Sequence, residues 1–359
     1  MATIPSMTTP LAHFTTYYQV LLKVKIIRAF QQLGSLYARW VWKIPASDIR
    51  PFETIIVPST KGDRRITVNA YRTKGAMAPN VGPVAVHLTW HGSGFVLNTF
   101  GESIPFVAHL LSHPLLENYP LVILDCDYAK APEYPSPAPT DDVRDVIEYV
   151  FARPQEFDLQ KVTVGGFSAG ANMAMGIAAT VGKEVKEGKP FGGLQTKEHP
   201  FKAVVAFYPP TEWDSRPDAN PPPGVVVPGV RLDTSLVKTF DAAYFYPPKP
   251  LSVEEDAQRK ERQLHTPLFT PRWANPVDFP KNMYLVTCEY DTLAEEAENL
   301  RVELKKPEYK KEVTGWNVKG VAHAWDTLVL PGQPGFEERQ KAYDLAAEVI
   351  AKAGGIVHA

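Results

Sequence analysis

Apolar positions fall along this chain in two rhythms. Over 11–42, residues such as Leu11, Phe14, Tyr18, Leu22, Phe30 and Leu33 return every three or four positions, with Lys23, Lys25 and Arg28 among them, which predicts one or two amphipathic helices. Such a helix is expected to pack on the rest of the protein; contact with a membrane surface by 11–42 is the less favoured reading. Residues 53–58 and 65–71 alternate apolar and polar side chains around a turn containing Lys61, Gly62 and Asp63, as an antiparallel hairpin does. From residue 84 onward the rhythm changes to short, continuous apolar runs at 84–89, 120–128, 162–164, 202–208, 282–288 and 312–318. Helical stretches, including 103–112 and 141–151, lie between them. Uninterrupted apolar strands alternating with helices predict an α/β protein with a mostly parallel, eight-stranded sheet covered by helices on both faces.

One segment departs from this pattern. Between residues 209 and 280 the chain is rich in proline and has no strand period, and a loop of that length without structure is unusual in a compact domain. It reads as an insertion forming part of a lid.

In a parallel sheet of this kind, ligands gather at the carboxyl ends of the strands. There the sequence places its chemistry-bearing groups. In KVTVGGFSAGANMAM, residues 161–175, Gly166 and Gly170 flank Ser168 as a strand turns abruptly into a helix, a geometry that lifts a serine hydroxyl above the sheet edge. A tight turn around an ordinary serine is the plainer reading. A serine nucleophile needs a base, a group that orients the base, and donors for a developing oxyanion. His323 follows the last strand and precedes the final helix, whereas His87 lies inside a strand and His113, His199, His265 and His358 follow none. Asp291 follows the strand at 282–288 and reads either as the orienting acid or as a helix cap, with Glu289 as its competitor. The HGSG run at 91–94 offers the amides of Gly92 and Ser93, which with that of Ala169 make a donor cluster. Gly94 permits close approach there, and His91 organises the loop.

Jointly, HGSGF at 91–95, DYAKAPEYPSPA at 127–138, GFSAG at 166–170, EYDTL at 289–293 and VAHAW at 321–325 resemble the hormone-sensitive-lipase-like carboxylesterases and lipases of the α/β-hydrolase superfamily. The order Ser168, Asp291, His323 is also the order those enzymes use. The resemblance implies an α/β-hydrolase fold with a helical cap built from residues 1–50 and 210–265, around a catalytic core of 51–209 and 266–359. It implies Ser168 as nucleophile, His323 as general base and acid, Asp291 as its orienter, and Gly92, Ser93 and Ala169 as oxyanion donors. Glu133 corresponds to an acidic residue that braces loops near the site. The chain departs from the family's HGGG and GDSAG at Ser93 and Phe167: Ser93 narrows the acyl pocket, or strains its loop if its φ is positive, and Phe167 gives a drier floor. Phe95, Phe167, Tyr208, Trp213 and Trp325 are candidates for an apolar substrate pocket, with ordinary core as the alternative.

Composition narrows the remaining choices. With 38 basic against 40 acidic residues and a formal net charge of -2, nothing points to nucleic acid as a partner. Two cysteines, Cys126 and Cys288, suit buried thiols and not a disulfide framework, and the opening residues lack the basic start of a secretory signal, so cytosolic residence is expected. The expected partner is a small-molecule ester, with no metal or organic cofactor required. A homodimer through exposed cap faces is compatible with the sequence. Rival readings on the same scaffold are a non-hydrolytic elimination or cyclisation, and a small-molecule receptor like the plant gibberellin receptors, which resemble this family but lack the histidine retained here as His323.

Overall fold

The computed structural model describes residues 9–41, 49–193, 196, 198–213, 217–247 and 249–356. Trp42 and His358 lie outside the described residues, as do 1–8 and 42–48 of the expected cap segment 1–50 and residues 214–216 and 248 of the expected insertion.

The chain begins with helix α1 (Pro10–Val41), then forms the hairpin β1 (Glu53–Pro58) and β2 (Arg65–Arg72). Alternation follows: β3 (Val84–Trp90), α2 (Ile104–Ser112), β4 (Leu121–Cys126), α3 (Ala138–Phe151), β5 (Phe157–Phe167), α4 (Ala169–Lys186) and β6 (Phe201–Phe207). After the insertion come β7 (Asn282–Tyr290), α7 (Ala294–Leu304), β8 (Glu312–Thr314), β9 (Asn317–Ala322) and α8 (Phe336–Ala353). The sheet order is β1-β2-β4-β3-β5-β6-β7-β8, with β9 also on β7. β1, β2 and β4 pair antiparallel and every other pairing is parallel.

The sheet path thus holds eight strand positions, the last one interrupted. Glu312 stands opposite Asn282 and Asn317 opposite Thr287, so β8 and β9 continue in one register along β7. The break falls at Gly315, whose φ of 102 carries it into the left-handed region; a Cβ there would sit 1.8 Å from the Leu285 carbonyl oxygen.

Two cores explain the continuous apolar runs. Val86, Leu88, Val164 and Leu285 join one cluster with Val143, Val146 and Ile147 of α3 and Met173 and Ile177 of α4. Ile123, Val205, Phe207 and Val286 join a second with Phe106 and Leu110 of α2 and Ala346 and Ile350 of α8. Successive strand residues point to opposite faces, so a sheet buried on both sides needs an apolar residue at every position.

Two helices arise in the proline-rich insertion: α5 (Thr234–Tyr244) and α6 (Val253–Leu264). The Asp233 carboxylate accepts the Leu236 N–H at the start of α5. α6 opens on a reciprocal cap, in which Ser252 Oγ accepts the Glu255 N–H at 3.1 Å and Glu255 Oε2 accepts the Ser252 N–H at 2.8 Å. The segment after α5 meets α1, since the Tyr246 hydroxyl donates to the His13 carbonyl at 2.6 Å and His13 Nε2 lies 2.9 Å from the Pro247 carbonyl. Among the described residues, no helix is long and apolar enough to cross a membrane.

Candidate active site

β5 ends at Phe167 and α4 begins at Ala169, so a single residue makes the turn. Ser168 does so at φ 49 and ψ −118, a sparsely populated conformation that costs on the order of 1–3 kcal/mol. Its N–H donates to the Phe207 carbonyl at 2.9 Å. The flanking glycines are required by close approach, not by their own backbone angles: a Cβ on Gly166 would lie 2.5 Å from the Trp90 carbonyl oxygen, and one on Gly170 would lie 2.1 Å from it. The end of β3 is therefore pressed into the elbow.

His323 follows β9, with its Nε2 2.9 Å from Ser168 Oγ and its Nδ1 2.7 Å from Asp291 Oδ2. A carboxylate can only accept, so Nδ1 carries the ring proton, and Nε2 presents a lone pair to the Ser168 hydroxyl. The other Asp291 oxygen accepts the Leu293 N–H at 3.0 Å, so one carboxylate both turns the chain ahead of α7 and holds the imidazole. Glu289 faces elsewhere, accepting the Gly320 N–H at 2.8 Å and pairing with Lys319. His87 is buried within β3 with Nδ1 2.9 Å from Thr163 Oγ1. Ser168, Asp291 and His323 are all buried.

Two further groups fix the histidine. The Tyr208 ring meets the imidazole edge-on with centroids 4.6 Å apart, and its hydroxyl donates to Asp326 at 2.7 Å. Tyr343 donates to the other Asp326 oxygen at 2.8 Å. Burial pushes the Asp326 carboxyl up, although both phenols oppose it. On the backbone side, His323 O accepts the Val230 N–H at 2.6 Å and Pro228 O accepts the Ala322 N–H at 2.8 Å. The insertion thus pairs along the loop that carries His323. Gly229 between them has φ 111, and a Cβ there would lie 2.6 Å from the Ala322 carbonyl oxygen.

The HGSG loop lies over the elbow. An added Cβ on Gly92 would be 3.2 Å from Ser168 Cβ, which brings the backbone at Gly92 and Ser93 close to the serine and to the first amide of α4, that of Ala169. Ser93 does not adopt a positive φ, so the strain considered for it does not arise. Its hydroxyl donates to Tyr128 Oη at 2.6 Å, because the Tyr128 proton is used on the His91 carbonyl at 2.8 Å. His91 stacks on the Tyr128 ring with centroids 4.6 Å apart, its Nδ1 2.9 Å from Thr99 Oγ1 and its Nε2 3.2 Å from Asp127 Oδ1. Burial, reinforced by Lys130, pushes the His91 imidazole down against the opposing pull of Asp127. Burial would raise the Asp127 carboxyl, but His91 and Lys130 outweigh it and hold it below the usual range.

Gly94 has φ 56, and a Cβ there would stand 2.3 Å from Phe240 Cδ2 of α5. Phe95, next along, stacks on Tyr244 with centroids 4.0 Å apart. Glu133 meets the loop through a residue that sequence reasoning did not single out. Arg28 of α1 donates to both Glu133 oxygens, at 2.6 and 2.9 Å, and also to the carbonyls of Val96 and Ala131, each at 2.8 Å. Its place beside Lys23 and Lys25 on an amphipathic helix gave it the look of a solvated charge.

A cavity of about 460 Å³ opens above Ser168. Phe95, Phe167, Tyr208 and Trp213 line it, as do Leu97 and Phe240. The reading of Trp325 as a pocket residue is corrected. It is not on the cavity wall; its ring is buried behind Tyr208 at 5.8 Å between centroids, and its indole N–H donates to Gly335 O at 3.2 Å. The chain turns through Ala324 at φ 54, which sends the next side chain away from His323. Among the described residues, the group able to gather around a metal ion is His109, His113 and Asp344, between α2 and α8, and none of the three lines the cavity.

Residues 87–327 match the family model described as alpha/beta hydrolase fold. An AB hydrolase superfamily protein of Schizosaccharomyces pombe is 31% identical over 135 residues, covering 36% of this chain and 38% of that protein. A probable carboxylesterase of Arabidopsis thaliana is 30% identical over 105 residues, covering 26% and 32%. The alignments span little more than a third of those curated relatives at most. An esterase from the archaeon Pyrobaculum calidifontis superposes with a TM-score of 0.66 over 93% of this chain and 92% of its own, at 23% identity, a likeness of fold. With the elbow, the strand order and the family match in agreement, the chain belongs to the α/β-hydrolase fold family, in its hormone-sensitive-lipase-like branch.

Proposed function

We propose that the protein is a serine carboxylic-ester hydrolase working through an acyl-enzyme. The observation that carries this reading is the hydrogen-bond relay from Asp291 through His323 to Ser168, at 2.7 and 2.9 Å, beneath the amides of the HGSG loop. His323 Nε2 takes the Ser168 proton as Oγ attacks the ester carbonyl. The oxyanion rests on the amides of Gly92, Ser93 and Ala169, and the alcohol leaves with the proton from His323. Water, deprotonated by His323, then attacks the acyl carbon and releases the acid and Ser168. The aromatic cavity of about 460 Å³ supports short- to medium-chain or natural-product esters as substrates. The Arabidopsis relative's description as a probable carboxylesterase points the same way. Two buried, unpaired thiols, Cys126 and Cys288, support a cytosolic setting.

The test is labelling with a fluorophosphonate probe, peptide mapping of the adduct, and turnover of a p-nitrophenyl ester series. The adduct is expected on Ser168, and Ser168→Ala abolishes both labelling and turnover. Undiminished turnover by that variant refutes the proposal.

A further inference from the structure

Helix α1 is apolar on two opposite sides, and the protein covers one of them. Val24 and Arg28 are buried against the body, while Leu11, Phe14, Leu22, Phe30, Leu33 and Trp40 recur at spacings of three, seven or eight residues, close to whole turns, along the other side. These are not isolated surface leucines: Phe30 is 72% exposed, Trp40 77% and Leu11 75%. At 1.5 Å per residue the helix is about 48 Å long, so the uncovered stripe runs well beyond the scattered apolar exposure of ordinary surfaces. An apolar helix face is normally covered, and of the two on α1 the protein covers one.

Charge selects the occupant. Over its 32 residues α1 contains no Asp or Glu; Arg28 is buried on Glu133, which leaves Lys23 and Lys25 as the cations beside the stripe. Lys23 is exposed at one margin of the stripe, and Lys25, also exposed, lies at the other, where it reaches Glu133 at 3.2 Å. In a second copy of the same helix these cations would meet only cations. An anionic surface answers them, and exposed tyrosines and a tryptophan, Tyr18, Tyr37 and Trp40, suit the boundary between headgroups and acyl chains. We propose that α1 lies in the surface of a bilayer containing anionic lipid and holds the protein there without crossing it. Gln31, Gly34 and Ser35 of the same helix line the cavity above Ser168, so docking places the cavity wall beside the lipid. The binding itself does not depend on ester hydrolysis.

The experiment is flotation of the full-length protein with vesicles of phosphatidylcholine, with and without phosphatidylserine, at low and high salt. Size-exclusion chromatography with light scattering is run in parallel. Wild type is expected to float with the phosphatidylserine vesicles and to be released in part by salt. Leu22→Ser, Phe30→Ser and Leu33→Ser together weaken partitioning by about a hundredfold or more, because three large side chains no longer leave water. Lys23→Glu weakens it roughly tenfold on anionic vesicles alone. Both variants keep the wild-type melting temperature, since the altered side chains touch solvent and not the core. Absence of flotation overturns the proposal, as does flotation unchanged in the triple variant. So does a wild-type dimer that the triple substitution dissociates without any effect of vesicles, which would assign the stripe to a second copy.

Discussion

Gly94 is where α5 of the insertion meets the HGSG loop, and Gly94→Ala tests that contact. The substitution carries two separable costs. Alanine at φ 56 is disfavoured by about 1–2 kcal/mol relative to glycine. Its Cβ would also lie 2.3 Å from Phe240 Cδ2, where carbon atoms ordinarily stand about 3.5–4.0 Å apart, so the ring or the loop must retreat by more than about 1 Å. Phe240 is buried in the larger core cluster, so that retreat costs about 1–3 kcal/mol, for a total of about 2–5 kcal/mol. Truncating the ring removes the second cost and keeps the first. In a Phe240→Ala background, Gly94→Ala should therefore cost only the backbone part, giving a favourable coupling of about 1–3 kcal/mol in a double-mutant cycle. Urea unfolding of the four proteins at equal m-values measures it. Turnover is the second readout: under the proposed mechanism Gly94→Ala alone lowers kcat, because the displaced loop carries the Gly92 and Ser93 amides, and loss of one oxyanion donor is worth about 10²–10³. Stability effects that simply add, within about 0.5 kcal/mol, refute the contact argument.

Two other outcomes follow from the buried carboxylates. Asp291→Asn should lower kcat by about 10⁴-fold with little change in unfolding midpoint, since an amide N–H can hold His323 in the tautomer whose Nε2 carries the proton; steady-state kinetics beside circular dichroism checks this. Asp125 is buried in β4, its Oδ1 accepting the Ser103 hydroxyl at 2.5 Å, and burial pushes its carboxyl up from 3.8 to about 7. The folded state therefore binds more protons than the unfolded state between those values, and stability falls as pH rises through the window, by on the order of 4 kcal/mol at most. Asp125→Asn should remove that dependence, so its advantage in urea midpoint over wild type grows from pH 4 to pH 8; a constant difference contradicts the assignment.

Much of this architecture was legible because the relevant physics is local. Continuous apolar runs report burial on both faces, and the elbow is announced by glycines that must admit the Trp90 carbonyl. The capping box Ser252 to Glu255 also lay open in the sequence as the start of α6, although proline content drew attention away from it. What could not be read depends on partners distant in the chain. Arg28 reaches Glu133 across 105 positions, Tyr208 reaches Asp326 across 118, and Phe240 seals Gly94 from a cap whose path no periodicity encodes. Ser93 appeared to threaten its loop because a substitution is visible in sequence, whereas Tyr128, which takes up its hydroxyl, is identified only by the fold. Trp325 misled through nearness to His323, for two positions along a turn can face opposite ways.

The pairing of Pro228 and Val230 with the chain around His323 bears on redesign of the lid. Exchanging the insertion for that of another α/β-hydrolase is an obvious route to new substrate selectivity, and residue 210 looks like its natural border. A graft cut there would discard two main-chain hydrogen bonds that set where the imidazole stands. The replaceable cassette accordingly starts after Leu232, and a chimera that keeps 228–230 retains its chemistry while changing its roof.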